Sequence, residues 1–127
     1  MTNTITYPSP ANEWPHLKAL NASHAQSSAW QLTLFVADDC RWFNGHFPGN
    51  PVLPGVVQLH WAQFFARQLA NLKRITQVKS LKFNKIILPN TEVSLTLTAL
   101  REKQRVNFQY FSGDDVCSSG TFSGEFL

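Results

Sequence analysis

Residues 43–63 read FNGHFPGNPVLPGVVQLHWAQ, and the change of pattern inside that stretch decides the fold. Its first half holds Pro48, Pro51 and Pro54 with Gly45 and Gly49 among them. Proline donates no N–H and fixes φ, so residues 42–54 form neither a regular helix nor a central strand but a shaped loop. From Gly55 the breakers stop, and residues 55–73 read as one helix, opened by Pro54 where a missing N–H costs nothing. Val56, Val57, Leu59, Trp61, Ala62, Phe64 and Phe65 occupy nearly every face of its first half, the pattern of a buried helix. Arg67, Gln68, Asn71, Lys73 and Arg74 collect toward its C-terminal end, where cations complement the helix dipole.

On both sides of the helix the period shortens to that of strands. Residues 30–37 (WQLTLFVA) precede a DDCR turn, and residues 78–88, 92–100, 106–111 and 116–126 follow the helix. Pro89-Asn90, the charged run REKQR and the turn Ser112-Gly113-Asp114-Asp115 separate the later strands. Successive strands joined by short turns are expected to pair as antiparallel neighbours. The expected class is α+β, an antiparallel sheet wrapped around one long central helix. Residues 1–28, rich in Ser, Thr, Asn, Ala and Pro, read as an irregular arm with a short helical turn around residues 14–20. Residues 29–127 read as a single domain.

Composition narrows the function classes. The 127 residues include ten Phe and four Trp, enough for a sizeable core. A net charge of +3 without a dense Lys/Arg face does not point to nucleic acid. It suits either an acidic partner protein or an ordinary surface excess, and Lys82, Lys85, Arg101, Lys103 and Arg105 fit both readings. Cys40 and Cys117 have no metal-site spacing, so neither zinc nor a disulfide scaffold is expected. The first residues lack a signal-peptide pattern and no apolar run reaches the roughly 18 residues of a bilayer span, so a reducing cytoplasm and no membrane are expected.

Two features carry chemistry. His46 is an imidazole on a loop braced by prolines, suited to acid–base work near neutral pH. Pro54-Gly55 opens the helix, whose first amides point outward at the positive end of the dipole and can hold an oxygen that gains negative charge. Gly55 has no side chain to keep a substrate away. His16 and His24 receive no role.

Residues 45–56, GHFPGNPVLPGV, closely resemble the GHFPGxPxxPGV motif of the bacterial β-hydroxyacyl-ACP dehydratases. Residues 81–95, LKFNKIILPNTEVSL, are similar to that family's K-F-x-x-x-x-x-P-G-D-x-L segment, with Asn90 and Thr91 where Gly and Asp are usual. The resemblance covers residues 30–127. It implies the hotdog fold and dehydration of a 3-hydroxyacyl thioester to the trans-2-enoyl thioester, in fatty acid or polyketide biosynthesis. The acyl group would ride on the phosphopantetheine of acyl carrier protein, with no metal or redox cofactor. The protein would be a homodimer, or a heterodimer with a related hotdog subunit.

By position in the motif, His46 takes the α-proton and the Gly55 amide polarises the thioester carbonyl. The family's acid stands fourteen residues after the histidine, usually facing a site across the dimer interface. Here that position is His60, and residues 55–73 contain no Asp or Glu. The atypical dehydratase-like proteins of aryl polyene and related type II polyketide clusters are similar through PGVVQLHW. An imidazole can serve as a general acid, so the expected catalytic set is His46, His60 and Gly55. Phe47, Val56, Trp61 and Phe64 are the expected substrate contacts, although aromatic residues on a buried helix, such as Trp61, Phe64 and Phe65, are more often plain core. Gln63 lies three residues after His60, where the family's glutamine lies four after the acid, so its role is not carried over. Gln58 either meets a polar group at a subunit interface or bonds locally. The alternatives are a hotdog thioesterase, disfavoured by the acid-free helix, and a catalytically degenerate partner of an active dehydratase.

Overall fold

The structure is a computed structural model that describes residues 5–23, 28–44 and 49–127. Among the described residues six strands and one α-helix follow in the order β1 (His16–Ser23), β2 (Ser28–Val36), α1 (Gly55–Ala70), β3 (Leu72–Phe83), β4 (Thr91–Leu100), β5 (Arg105–Ser112) and β6 (Asp115–Phe126). They form one antiparallel sheet in the order β1-β2-β4-β5-β6-β3, with α1 packed on one face.

The strands of the middle of the sheet alternate as a half-buried sheet must. Leu32, Leu34 and Val36 of β2, Val93, Leu95 and Leu97 of β4, and Val106, Phe108 and Tyr110 of β5 point to the core. The helix answers with Val57, Trp61, Ala62, Phe65, Ala66, Leu69 and Ala70. Three alanines on this face let α1 lie close to the strands. Gly120 of β6 makes a comparable allowance, since a Cβ there would stand 2.6 Å from the Phe108 ring.

Three expectations are corrected. The helix ends at Ala70, not Lys73, because Asn71 takes the left-handed conformation (φ 58°) that asparagine tolerates at a helix terminus. Arg101 then donates to the Ala70 carbonyl at 2.9 Å, and the chain enters β3 at once. Second, β3 and β4 are not neighbours: β3 pairs with β6 and β4 with β2. Residues 84–90 between them are irregular, tied down by Asn84 and Lys85 amides on the Cys117 carbonyl and by the Leu53 amide on the Ile87 carbonyl at 2.8 Å. Third, the stretch expected to be an irregular arm, residues 1–28, contains β1 where a helical turn was expected, preceded by a 3-10 turn at Ala11–Glu13.

One buried polar network fixes the helix on the sheet. The Gln58 side-chain oxygen accepts from Ser118 Oγ at 2.7 Å, its amide donates to the Leu53 carbonyl at 3.3 Å, and its backbone carbonyl accepts from the Tyr110 hydroxyl at 2.7 Å. Gln58 therefore bonds locally. Burial pushes the Tyr110 phenol well above its ordinary value, so it remains a donor. Ser118→Ala leaves the Gln58 oxygen buried without a donor, which costs about 1–3 kcal/mol. Urea unfolding should show a lower midpoint at unchanged slope; an unchanged midpoint would contradict the network's role.

Candidate active site

The site begins where the proline-rich loop ends. Val57 and Gln58 amides both reach the Pro54 carbonyl, at 3.1 and 3.2 Å, so Gly55 and Val56 carry the amides ahead of the helical ladder. A Cβ on Gly55 would lie 2.7 Å from two atoms of the Phe83 ring. Glycine is needed here because an aromatic ring from the end of β3 lies directly over the helix start. Phe83 is 50% exposed and Val56 71% exposed, giving the helix start an apolar rim.

From Val56 an open stripe runs along α1 at helical spacing through His60, Gln63, Phe64 and Arg67. The expectation of a helix buried all round is corrected accordingly: within this chain, one sheet covers one side of the helix only. Part of the open side is roofed by the N-terminal segment. Tyr7 stacks on Trp14 with ring centroids 5.0 Å apart, and Trp14 rests against Phe64 at 4.6 Å and against the His60 ring at 5.2 Å. Between segment and helix lies a groove of about 440 Å³ whose walls include Ser9, Trp14, His60, Gln63, Phe64 and Arg67.

Glu13 holds that segment down. Its backbone carbonyl accepts from two indoles, Trp42 at 2.8 Å and Trp61 at 3.0 Å. Its carboxylate accepts from Arg41 at 2.6 Å. The Ser9 hydroxyl, which accepts from the Trp14 indole at 2.7 Å, also bonds the Glu13 carboxylate. These contacts hold the Glu13 carboxyl below its usual range: the Ser9 hydrogen bond first, then that of Arg41, together outweighing an opposing effect of burial, with the positive charges of Arg41 and His60 as the smallest additions.

The residues expected from sequence divide three ways. Gly55, Val56, His60 and Phe64 share the helix start and the open stripe. Trp61 is fully buried, its indole spent on the Glu13 carbonyl, so it belongs to the core and not to a substrate wall. His46 and Phe47 lie outside the described residues. Glu13, Trp14 and Phe83 were not singled out; the signal for the first two was two large aromatics, Tyr7 and Trp14, inside an otherwise small and polar stretch. Arg101, a candidate contact for an acidic partner, is engaged by the Ala70 carbonyl and the Phe126 ring, and Lys85 by Asp115 at 2.8 Å.

A long helix held against one antiparallel sheet, with its N-terminus and an imidazole stripe opening outward, is the architecture of the hotdog class. Two solved structures share it. An uncharacterized protein from Erwinia carotovora subsp. atroseptica superposes with a TM-score of 0.80 at 33% identity, over 90% of this chain and 98% of that one. The dehydratase heterocomplex ApeI:P from Xenorhabdus doucetiae does so with a TM-score of 0.78 at 27% identity, over 87% and 96%. Residues 22–121 match the ApeI-like family, described as ApeI dehydratase, and the chain belongs to that family. Among curated proteins it is similar to the 3-hydroxyacyl-[acyl-carrier-protein] dehydratases FabZ of Legionella pneumophila (strain Lens), 28% identical over 97 residues, and of Ligilactobacillus salivarius (strain UCC118), 41% identical over 73. The chain spans 65% of the length of the first and 51% of the second.

The Tyr7 phenol is pushed up to about 12 by burial against these rings. A phenol that ionises at higher pH folded than unfolded contributes stability that is present below its ordinary value near 10 and is lost as pH rises toward 12. Tyr7→Phe should therefore flatten the fall in stability between those two pH values while leaving Tyr110's part of it. Thermal melts from pH 8 to 11.5 measure this, and parallel curves for wild type and variant would contradict it.

Proposed function

We propose that the chain catalyses dehydration of a 3-hydroxyacyl thioester carried on acyl carrier protein, giving the trans-2-enoyl thioester and water. The single observation that carries this reading is the placement of His60. The residue at the position of the family's acid stands on the open stripe of α1, roughly 7–8 Å along the axis from the outward amides of Gly55. Membership of the ApeI-like dehydratase family and the names of the FabZ relatives support the same chemistry. The pathway it serves is fatty acid or aryl polyene assembly.

The steps balance without an external reagent. The thioester oxygen faces the Gly55 amide, which takes part of the negative charge that develops when the α-proton leaves. His46 accepts that proton, the Cα–Cβ double bond forms, and the Cβ–O bond breaks. The departing hydroxyl takes a proton from His60 and leaves as water; the proton on His46 returns to His60 through solvent. Val56 and Phe64 border the acyl chain, and Phe83 over Gly55 limits what approaches the amides. A second hotdog subunit covers β3, a twelve-residue edge strand exposed along most of its length, together with the open stripe of α1. The heterocomplex formed by the Xenorhabdus neighbour supports a related rather than identical partner. The exposed Lys82, Lys103 and Arg105 suit the acidic carrier protein.

Incubation with a 3-hydroxyacyl thioester, with and without the partner subunit, tests the reading. Reversible enoyl absorbance is expected; release of free thiol would instead mean hydrolysis. His46→Ala and His60→Ala should each lower kcat/KM by about 100-fold or more. The rate should pass through a maximum between pH 6 and 9, and a flat profile would remove His60 as the acid. Full activity of the assembled complex with His46→Ala would show that this chain is a non-catalytic partner.

A further inference from the structure

Apart from aromatic and cysteine side chains, the described residues bury two polar ones, Gln58 and Ser118, and these bond each other at 2.7 Å. Stability alone gives no reason for the pair, since apolar groups of the same shape in both places are close to neutral. What a buried hydrogen bond adds is direction. Here the direction is set around Gly55. From Ser118 on β6, the Gln58 side chain reaches the Leu53 carbonyl at 3.3 Å. The Leu53 amide is held in turn by the Ile87 carbonyl at 2.8 Å. Ile87 lies in the segment 84–90, whose first amides, Asn84 and Lys85, return to the Cys117 carbonyl at 2.8 and 3.1 Å, beside Ser118. These contacts close a ring through the loop exit, the helix, β6 and the segment after β3. Gly55 stands on the arc between Leu53 and Gln58, and both ends of that arc are fixed. The same ring places what covers Gly55. Phe83 pairs with Ser118 across β3 and β6, and cross-strand partners point to the same face. From that face Ser118 meets Gln58, and the Phe83 ring lies over Gly55, where a Cβ would stand 2.7 Å from it.

We propose that Gln58 is a positioning residue for the Gly55 amide: held by Ser118, it fixes the Leu53 carbonyl and with it the direction in which that amide meets the thioester oxygen. The part it plays in turnover rests on the dehydratase reading, whereas the bracing itself rests on the hydrogen bonds above. A donor serves a developing negative charge only if it is aimed where the oxygen will stand, and a misplacement of about 1 Å costs on the order of 100-fold in rate. Tyr110 does not duplicate this brace. Its hydroxyl donates to the Gln58 backbone carbonyl at 2.7 Å, which ties the helix to the sheet whatever side chain stands at 58. Gln58→Met therefore keeps that tie and most of the side-chain volume, and removes only the links to Leu53 and Ser118. Ser118→Ala breaks the same strut from its other end.

A core defect outside the ring separates this role from a plain structural one. Val106 is fully buried on the same strand as Tyr110, four residues and about 13 Å along it, and takes no part in the ring. Val106→Ala opens a cavity there and lowers stability without touching the loop exit. The Gly55 amide is followed in full-length protein labelled with glycine-15N, assigned by its loss in Gly55→Ala. The thioester assay runs alongside, with the partner subunit, at a temperature where every variant is folded. Gln58→Met and Ser118→Ala should each move the Gly55 resonance and lower kcat by about 10- to 100-fold with KM little changed, because the amide acts on charge that develops after binding. Val106→Ala should leave both as in the wild type. An unmoved Gly55 resonance, an unchanged kcat in folded Gln58→Met, or an equal loss of kcat in Val106→Ala overturns the proposal. Should Gln58→Met fail to fold, Ser118→Ala alone decides. A resonance moved in both ring variants of a protein with no dehydratase activity would uphold the bracing and defeat the function proposed above.

Discussion

One sheet can cover only one side of one helix, and everything distinctive about this molecule follows from that. The apolar face of α1, Val57 through Ala70, is consumed by β3, β4, β5 and β6. The remaining stripe through Val56, His60, Gln63, Phe64 and Arg67 must meet something else. Half of the answer is internal: Tyr7 and Trp14 fold back on Phe64 and His60. Exposed apolar side chains at Val56, Phe83, Ile86 and Leu88 mark where that answer stops, and a surface of this kind is a place for a partner or an acyl chain.

The helix must also be held in rotation and register, because a slip of one residue would turn His60 by about 100°. Apolar packing is too tolerant to specify that alone. The polar contacts at the ends of the helix's first two turns supply the missing precision. Gln58 is keyed to Ser118, Tyr110 and Leu53 on the sheet side, and Trp61 to Glu13 on the other. Residues 58 and 61 bracket His60, so the two networks fix the imidazole between them. Among the described residues no buried side-chain N or O lacks a partner, as specification by hydrogen bonds requires.

The central strands and the helix start were legible in the sequence because they obey one period each. Leu32, Leu34 and Val36 alternate cleanly, and Pro54-Gly55 marks the boundary where loop becomes helix. β1 was not legible. Its pairing with β2 shifts register between Leu17 and Ala19, so its apolar residues fall out of alternation. β3 failed for a related reason: an edge strand open on both faces has no pattern to read, and its pairing with β6 is irregular at three places. Of the site, Gly55 and His60 followed from the motif and its spacing. Trp61 was ambiguous until its indole was seen bonded to the core. Glu13 was signalled only indirectly, by the aromatics Tyr7 and Trp14 around it, because its own partners Arg41, Trp42 and Trp61 lie 28 to 48 positions away.

The helix α1 carries no Asp or Glu, and the position of the family's acid is occupied by His60. A carboxylic acid on the helix donates its proton from a fixed point but needs burial to keep that proton near neutral pH. An imidazole carries its proton there without burial, and its weakness is orientation, since a half-open ring on a helix surface can rotate. Trp14 against the His60 ring limits that freedom, and Trp14 is itself held in place by its neighbour Glu13, fastened at both its carbonyl and its carboxylate. On the reading proposed above, the N-terminal segment therefore supplies from outside the helix, through the Trp14 ring, part of the orientation that a side chain on the open stripe would otherwise lack.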